Sequence, residues 1–205
     1  MSPGINSRYL VVAGLFVLSL ITYVDRAAIS SVKEPLAAEL QLDDQAIGAV
    51  FSVFALGYAV AQVPSGWLAD RIGPRYMLAG AVAVWSVLTA WTGWAAGFVS
   101  LVIVRFLFGV AEAGAFPGTA RAFFNWLPVS ERGRANGIVF SGSRLGAAFA
   151  FPLMAWLLPA SGSWRNAFFL LAVPGAVWAL LWLLLFRDNP PARLTGDRQR
   201  SVRRG

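Results

Sequence analysis

Residues 45–69, 76–104 and 166–186 carry no charged side chain. A helix rises about 1.5 Å per residue, so about 20 apolar residues cross a hydrocarbon core about 30 Å thick. The first and last runs each suffice for one crossing, and 76–104 is long enough that the chain must turn inside it. Gly93 and Gly97, beside Trp91 and Trp94, mark that turn. Three more stretches are nearly as apolar but hold charges. With 58% hydrophobic and 13% charged residues, the chain reads as a polytopic membrane protein and not as a soluble domain. The spacing predicts six transmembrane helices, at about 9–30, 45–68, 76–95, 99–118, 135–158 and 166–186. Residues 1–187 then form one all-α bundle, and 188–205 form a basic cytoplasmic tail or the start of a linker.

The first span does not have the pattern of a cleaved signal. Its apolar run is longer than an h-region, its basic flank is Arg8 alone, and Asp25-Arg26 stands where a cleavage site would be expected. The chain has no Cys and no His, which removes disulfides, the commonest zinc ligands and Cys or His nucleophiles. No paired-carboxylate or glycine-rich phosphate motif stands in supporting context. No metal, cofactor or enzymatic reaction is expected.

Basic residues sort by side of the membrane. With the N-terminus inside, Arg8, Arg71, Arg75, Arg121, Arg132, Arg134, Arg187, Arg193, Arg198, Arg200, Arg203 and Arg204 are cytoplasmic, while only Lys33 and Arg165 are external. Glu34, Glu39, Asp43 and Asp44 make the first external loop acidic. Both termini then lie in the cytoplasm. The net charge of +7 would ordinarily raise nucleic-acid binding, but the basic residues alternate with spans and form no soluble face. No nucleic-acid partner is expected; the bilayer is one. Sixteen arginines against one lysine point to a GC-rich bacterial source, hence an inner membrane.

Five ionisable groups fall inside the spans: Asp25, Arg26, Arg105, Glu112 and Arg144. Each opposes insertion by about 2.5–3.5 kcal/mol, roughly 12–17 kcal/mol together, unless it pairs or meets water. Arg105 and Glu112 lie seven residues apart on one helix face, about 10.5 Å along the axis, and are too far apart to pair directly. Each needs a partner from another helix, with Asp25, Arg26 and Arg144 available. A carboxylate beside an arginine stays ionised, whereas one deprived of it in a low dielectric takes a proton. Such a switch can couple proton entry to an anionic cargo that competes for the guanidinium, a group suited to bidentate carboxylate binding. A set of structural ion pairs is the alternative.

The two halves of the chain are similar in layout. In each, a charged first span is followed by a proline-bearing one (Pro64; Pro152) and an apolar third, with a basic loop nearby. Three-plus-three inverted repeats are a transporter architecture. Gly114 with Gly118, and Gly142 with Gly146, are spaced to let helix backbones approach.

Gly66-Trp67-Leu68-Ala69-Asp70-Arg71-Ile72-Gly73-Pro74-Arg75 resembles the G-x-L-a-D-R-x-G-r-K loop of the major facilitator superfamily. Tyr23-Val24-Asp25-Arg26, the run from Arg105 through Glu112 to Gly114, Asn125-Trp126-Leu127-Pro128 and Glu131-Arg132-Gly133 resemble its anion:cation symporter family. The resemblance implies proton-coupled uptake of organic anions such as sugar acids, hexuronates or aromatic carboxylates. It implies Asp25 and Glu112 as proton-coupling acids, and Arg26 and Arg105 as groups that hold substrate or gate the acids. Tyr23, and Tyr58 in the stretch leading to Gln62-Val63-Pro64, would line the cavity. Ser143 and Arg144 correspond to a substrate-facing part of helix five, with Arg144 as a third anion contact or an ion-pair partner. Gly66, Asp70, Arg71, Gly73 and Arg75 would form the gating loop, Asp70 bracing the inward-closed state.

The resemblance covers only that family's N-terminal six-helix half, and cargo binds between two halves. Asp70 is then expected to lack its bracing partner. A truncated frame, a second chain supplying the other half, or a second copy of this chain are the expected explanations. A non-transporting membrane subunit that binds a partner is the alternative reading.

Overall fold

The computed structural model describes residues 3–188. Regular structure there is helical: α1 (Pro3–Ser31), α2 (Lys33–Leu40), α3 (Asp44–Thr92), α4 (Phe98–Glu112), α5 (Ala115–Trp126), α6 (Val129–Ser161) and α7 (Trp164–Leu185). Local chemistry sets several ends. Asp43 Oδ1 accepts from the Ala46 amide at 2.7 Å and starts α3, and Ser163 Oγ accepts from the Asn166 amide at 3.2 Å and starts α7. Pro117 sits in the first turn of α5, where its missing N–H leaves no bond unmade.

Five stretches are long and apolar enough to cross a membrane, α4 and α5 counting as one. The sequence predicts six. The difference lies in α3, a 49-residue element that would measure about 74 Å if straight. It is not straight: Gly73, at φ 79 and ψ 160, breaks it into two helical segments. Contacts with α4 and α5 follow the reversal. Gly57 abuts Phe106 and Gly66 approaches Pro117, whereas beyond Gly73 Leu78 meets Gly118 and then Ala81 approaches Gly114. Progress along α3 therefore runs forward along α4 and α5 and then back.

Lipid tails provide no hydrophobic push between helices, so close packing must. Two crossings use glycine against a facing carbonyl. A Cβ on Gly57 would come within 2.3 Å of the Phe106 oxygen, and one on Gly109 within 2.3 Å of the Phe54 oxygen, fixing α3 on α4. Gly142 and Gly146 would likewise meet the oxygens of Phe16 and Leu20 at 2.7 and 2.4 Å, fixing α6 on α1. Gly114 and Gly118 instead receive the side chains of Met77 and Leu78. The second segment of α3 packs antiparallel to α7, with Ser86 against Gly175 and the Trp182 indole donating to the Pro74 carbonyl at 3.4 Å.

At the bundle end remote from Gly73, Glu39 ties α2 to α7. Arg165 Nε donates to one carboxylate oxygen at 2.8 Å and the Trp164 indole donates to the other. Arg165 Nη1 also donates to the carbonyls of Gly93 at 2.9 Å and Ala95 at 2.7 Å, closing the turn between α3 and α4. The Arg165 hydrogen bond, and then that of Trp164, hold the Glu39 carboxyl below its usual value of 4.5.

Two outcomes follow. Gly109→Val should lower stability by about 1–3 kcal/mol through overpacking, whereas Gly48→Ala, with nothing within 4 Å, should leave it unchanged or raise it; thermal unfolding in detergent reads both. Because the folded Glu39 value is depressed, its contribution is complete above about 4.5 and is lost as pH falls through the folded value. Glu39→Gln should flatten that acid limb of a melting-temperature titration.

Candidate functional site

Three helices bring their polar residues to one place. α1 supplies Tyr23, Asp25 and Arg26, the first segment of α3 supplies Phe54 and Tyr58 one turn apart, and α4 supplies Arg105, Phe108 and Glu112. The Gly57 and Gly109 contacts bring the α3 and α4 groups within reach of each other.

Glu112 is fully buried. Its Oε1 accepts from Arg26 Nε at 3.2 Å and from Nη2 at 3.0 Å, while Oε2 has no hydrogen-bond partner. Arg26 therefore supplies the partner that Glu112 needs. Its guanidinium also lies 5.0 Å from each of the ring centroids of Tyr23, Phe54 and Tyr58. Arg105 is only 2% exposed, yet it makes no ion pair among the described residues and its Nε is unpartnered. Its guanidinium lies over rings instead, 5.0 Å from Phe54 and 4.9 Å from Phe108. Asp25 is buried with Oδ2 unpartnered, in electrostatic reach of Glu112 and Arg105 and beside the indole of Trp85.

Ser143 and Arg144 both lie on α6. Ser143 is buried and its hydroxyl donates to the Phe140 carbonyl at 2.7 Å, which leaves its oxygen lone pairs to accept. Arg144 is exposed on this bundle and makes no ion pair or hydrogen bond among the described residues. The Gly142 and Gly146 contacts set Arg144 level with α1 residues between Phe16 and Leu20. That is about 10 Å short of Asp25 along the axis. The α6 face that holds glycines against α1 turns Arg144 away from α1. A groove of about 660 Å³ between the second α3 segment and α7, lined by Ala79, Gly80, Ser86 and Ala176 among others, holds none of the five ionisable groups.

The predicted gating loop lies around Gly73. Asp70 pairs with Arg121 of α5 at 3.4 Å, a partner within this chain that the sequence did not suggest. Arg71 lies 4.0 Å from the Trp67 ring centroid, and a Cβ on Gly66 would lie 3.9 Å from Pro117. Asp188 lies over Gly73, where a Cβ would come within 2.9 Å of its carboxylate. Asp188 Oδ1 accepts from the Arg75 amide at 2.8 Å, capping the second segment of α3 from across the bundle. The Arg75 guanidinium donates twice to the Leu183 carbonyl, at 2.9 and 2.6 Å. Asn125 and Trp126 donate to the carbonyls of Asp188 and Arg187 at 3.0 and 2.9 Å. The chain after α7 is thus stitched to the loop. The basic residues predicted beyond Asp188, from Arg193 to Arg204, lie outside the described residues.

Sequence reasoning missed Phe54, Phe108, Arg121 and Asp188. Phe54 precedes Tyr58 by one helical turn and Phe108 follows Arg105 by three residues, spacings that put each pair on one face. No local signal connects Asp70 with Arg121 or Arg75 with Asp188.

The family model of the major facilitator superfamily matches residues 15–204. The chain belongs to the major facilitator superfamily. A probable sulfoacetate transporter of Cupriavidus necator is 39% identical over 190 residues, covering 93% of this chain and 44% of that protein. A D-galactonate transporter of Escherichia coli is 37% identical, with coverage of 94% and 44%. A solved bacterial homologue of the human lysosomal transporter Spinster, inward-facing and occupied, superposes with a TM-score of 0.85 at 26% identity, covering 93% of this chain and 46% of that one. The chain thus spans a little under half the length of these major facilitator proteins. It is an integral membrane protein of a transporter family and not of an enzyme family.

Asp188→Ala should remove the cap at Arg75 and lower stability by about 1 kcal/mol, with Asp188→Asn closer to wild type; detergent melts of the two variants check it.

Proposed function

We propose that this chain is the cargo-and-proton wall of a secondary transporter that symports small organic anions, sugar acids among them, with protons. The observation that carries the proposal is Arg105: a guanidinium 2% exposed that makes no direct ion pair among the described residues, with Asp25 and Glu112 in electrostatic reach only. A buried membrane charge without a partner is disfavoured unless a ligand meets it, and a cargo carboxylate does so with bidentate geometry. The related sulfoacetate and D-galactonate transporters carry names of that chemical class.

Glu112 supplies the coupling in this reading. Its hydrogen bonds engage Arg26, so the pair is closed while the acid is ionised. A proton on Glu112 cancels the attraction and frees Arg26 to join Arg105 on the cargo. Asp25, buried nearby with an unpartnered oxygen, is the second proton acceptor, and Tyr23 and Tyr58 line the site around Arg26. Asp70, Arg71, Gly73 and Arg75 act as the gating loop, held by Arg121 and Asp188.

The architecture proposed is six spans in a three-plus-three inverted repeat, with the two segments of α3 crossing separately. In its support, α6 on α1 and α3 on α4 are both glycine-to-carbonyl crossings, the pairing that such a repeat relates. Arginine distribution favours cytoplasmic termini and a bacterial inner membrane. The opposite wall of the cleft would come from a second six-helix unit, on this polypeptide or another, or from a second copy.

Uptake of labelled D-galactonate, measured in cells that hold the chain in the polypeptide or assembly in which it occurs, tests the reading. Glu112→Gln should abolish accumulation driven by a pH gradient while sparing exchange across the membrane. Arg105→Met should raise the half-saturating concentration by roughly tenfold or more, a loss of 1.4 kcal/mol or above. Accumulation by the Glu112 variant at the wild-type level overturns the coupling role.

A further inference from the structure

Phe54 is the one ring, among the described residues, that faces both Arg26, half-buried, and Arg105, buried. Arg26 and Arg105 each have the guanidinium carbon 5.0 Å from its centroid. Those carbons can therefore be no more than about 10 Å apart, close enough for one small carboxylic acid to reach both. Two like charges gathered on one ring need a reason. The face of an aromatic ring carries negative potential, and it attracts a guanidinium most strongly where water is absent. Arg105 makes no direct ion pair among the described residues, with Asp25 and Glu112 in electrostatic reach only, and its guanidinium rests on the faces of Phe54 and Phe108.

The ring is itself held fast. Its centroid lies 5.8 Å from that of Phe108 and 6.1 Å from that of Tyr58. Its backbone oxygen is pressed against Gly109, where even a methyl group would meet it at 2.3 Å. Phe54 is thus locked to α4 through both backbone and side chain, and the arginines, on longer and more flexible stems, take their positions from it. When Arg26 leaves Glu112, the same ring still holds it.

We infer that Phe54 is a positioning residue: its ring sets the separation and orientation of the Arg26 and Arg105 guanidinium groups, so that both can meet one small organic anion. The inference rests on the organic-anion reading of this site. The ring's part can be tested without cargo, by the rate at which phenylglyoxal labels Arg26 and Arg105 in the purified chain, read peptide by peptide in a mass spectrometer. Phe54→Leu keeps an apolar side chain and removes the π face; Phe54→Met does the same with an unbranched chain and serves if the leucine variant does not fold. Phe54→Tyr and Phe54→Trp keep the face.

Labelling of both arginines should speed by roughly tenfold in the leucine or methionine variant and stay near the wild-type rate with Tyr or Trp. Wild-type rates in the leucine and methionine variants overturn the inference, as does equal acceleration by Tyr, which would mean packing alone. A change confined to one arginine also overturns it. Binding of D-galactonate, followed in parallel by the same set of variants, should weaken with Leu and recover with Tyr. Absence of binding to the wild type counts against the organic-anion reading, and the labelling rates still decide the role of Phe54.

Discussion

Charge buried in lipid governs this molecule. Asp25, Arg105 and Glu112 are buried, and Arg26 half-buried, among helices whose outer faces meet hydrocarbon. Their free energy therefore depends on one another and on whatever else enters the site. Arg26 and Glu112 satisfy each other in part. Arg105 is left with two aromatic faces, and Asp25 with an unpartnered oxygen. A bundle that needed only to stand in a membrane would be more stable with apolar residues at these positions. In the transport role proposed above, the retained imbalance is what a cargo anion and a proton exploit.

That imbalance survives only if the helices cannot shift to relieve it. Glycine against carbonyl does the fixing: Gly57 and Gly109 bring α3 onto α4, and Gly142 and Gly146 bring α6 onto α1. Each contact is so short that any side chain would force the backbones apart, so the helix phases are set to within a fraction of a turn. Phe54 and Arg105 meet as a direct result. The same phase turns Ser143 into the bundle and Arg144 away from α1.

The bundle ends are closed by different chemistry. Near Gly73 the Arg75 amide at the break in α3 donates to Asp188, and the carbonyls of Asp188 and Arg187 accept from Asn125 and Trp126, so the segment following α7 is tied to both α3 and α5. At the other end, Glu39 gathers Trp164 and Arg165 at the turn between α3 and α4. A unit tied in this way rocks as a rigid body more easily than it bends, which suits movement against an opposite wall.

Much of this was legible in the sequence. Hydropathy and run length are local properties, so long uncharged stretches identify membrane helices whatever their neighbours are, and the Asp25-Arg26 and Arg105-to-Glu112 patterns identify the groups that must converge. The loop motif around Asp70 was equally plain. What the chain order could not express was rotation about each helix axis and the partner across each gap. Glu112 chooses Arg26 and not Arg144, Asp70 finds Arg121, and one phenylalanine serves two arginines. Those choices follow from crossing points set by close glycine contacts between residues up to about 126 positions apart. Hydrophobicity determined what lies in the membrane; only packed backbones decided which charges meet there.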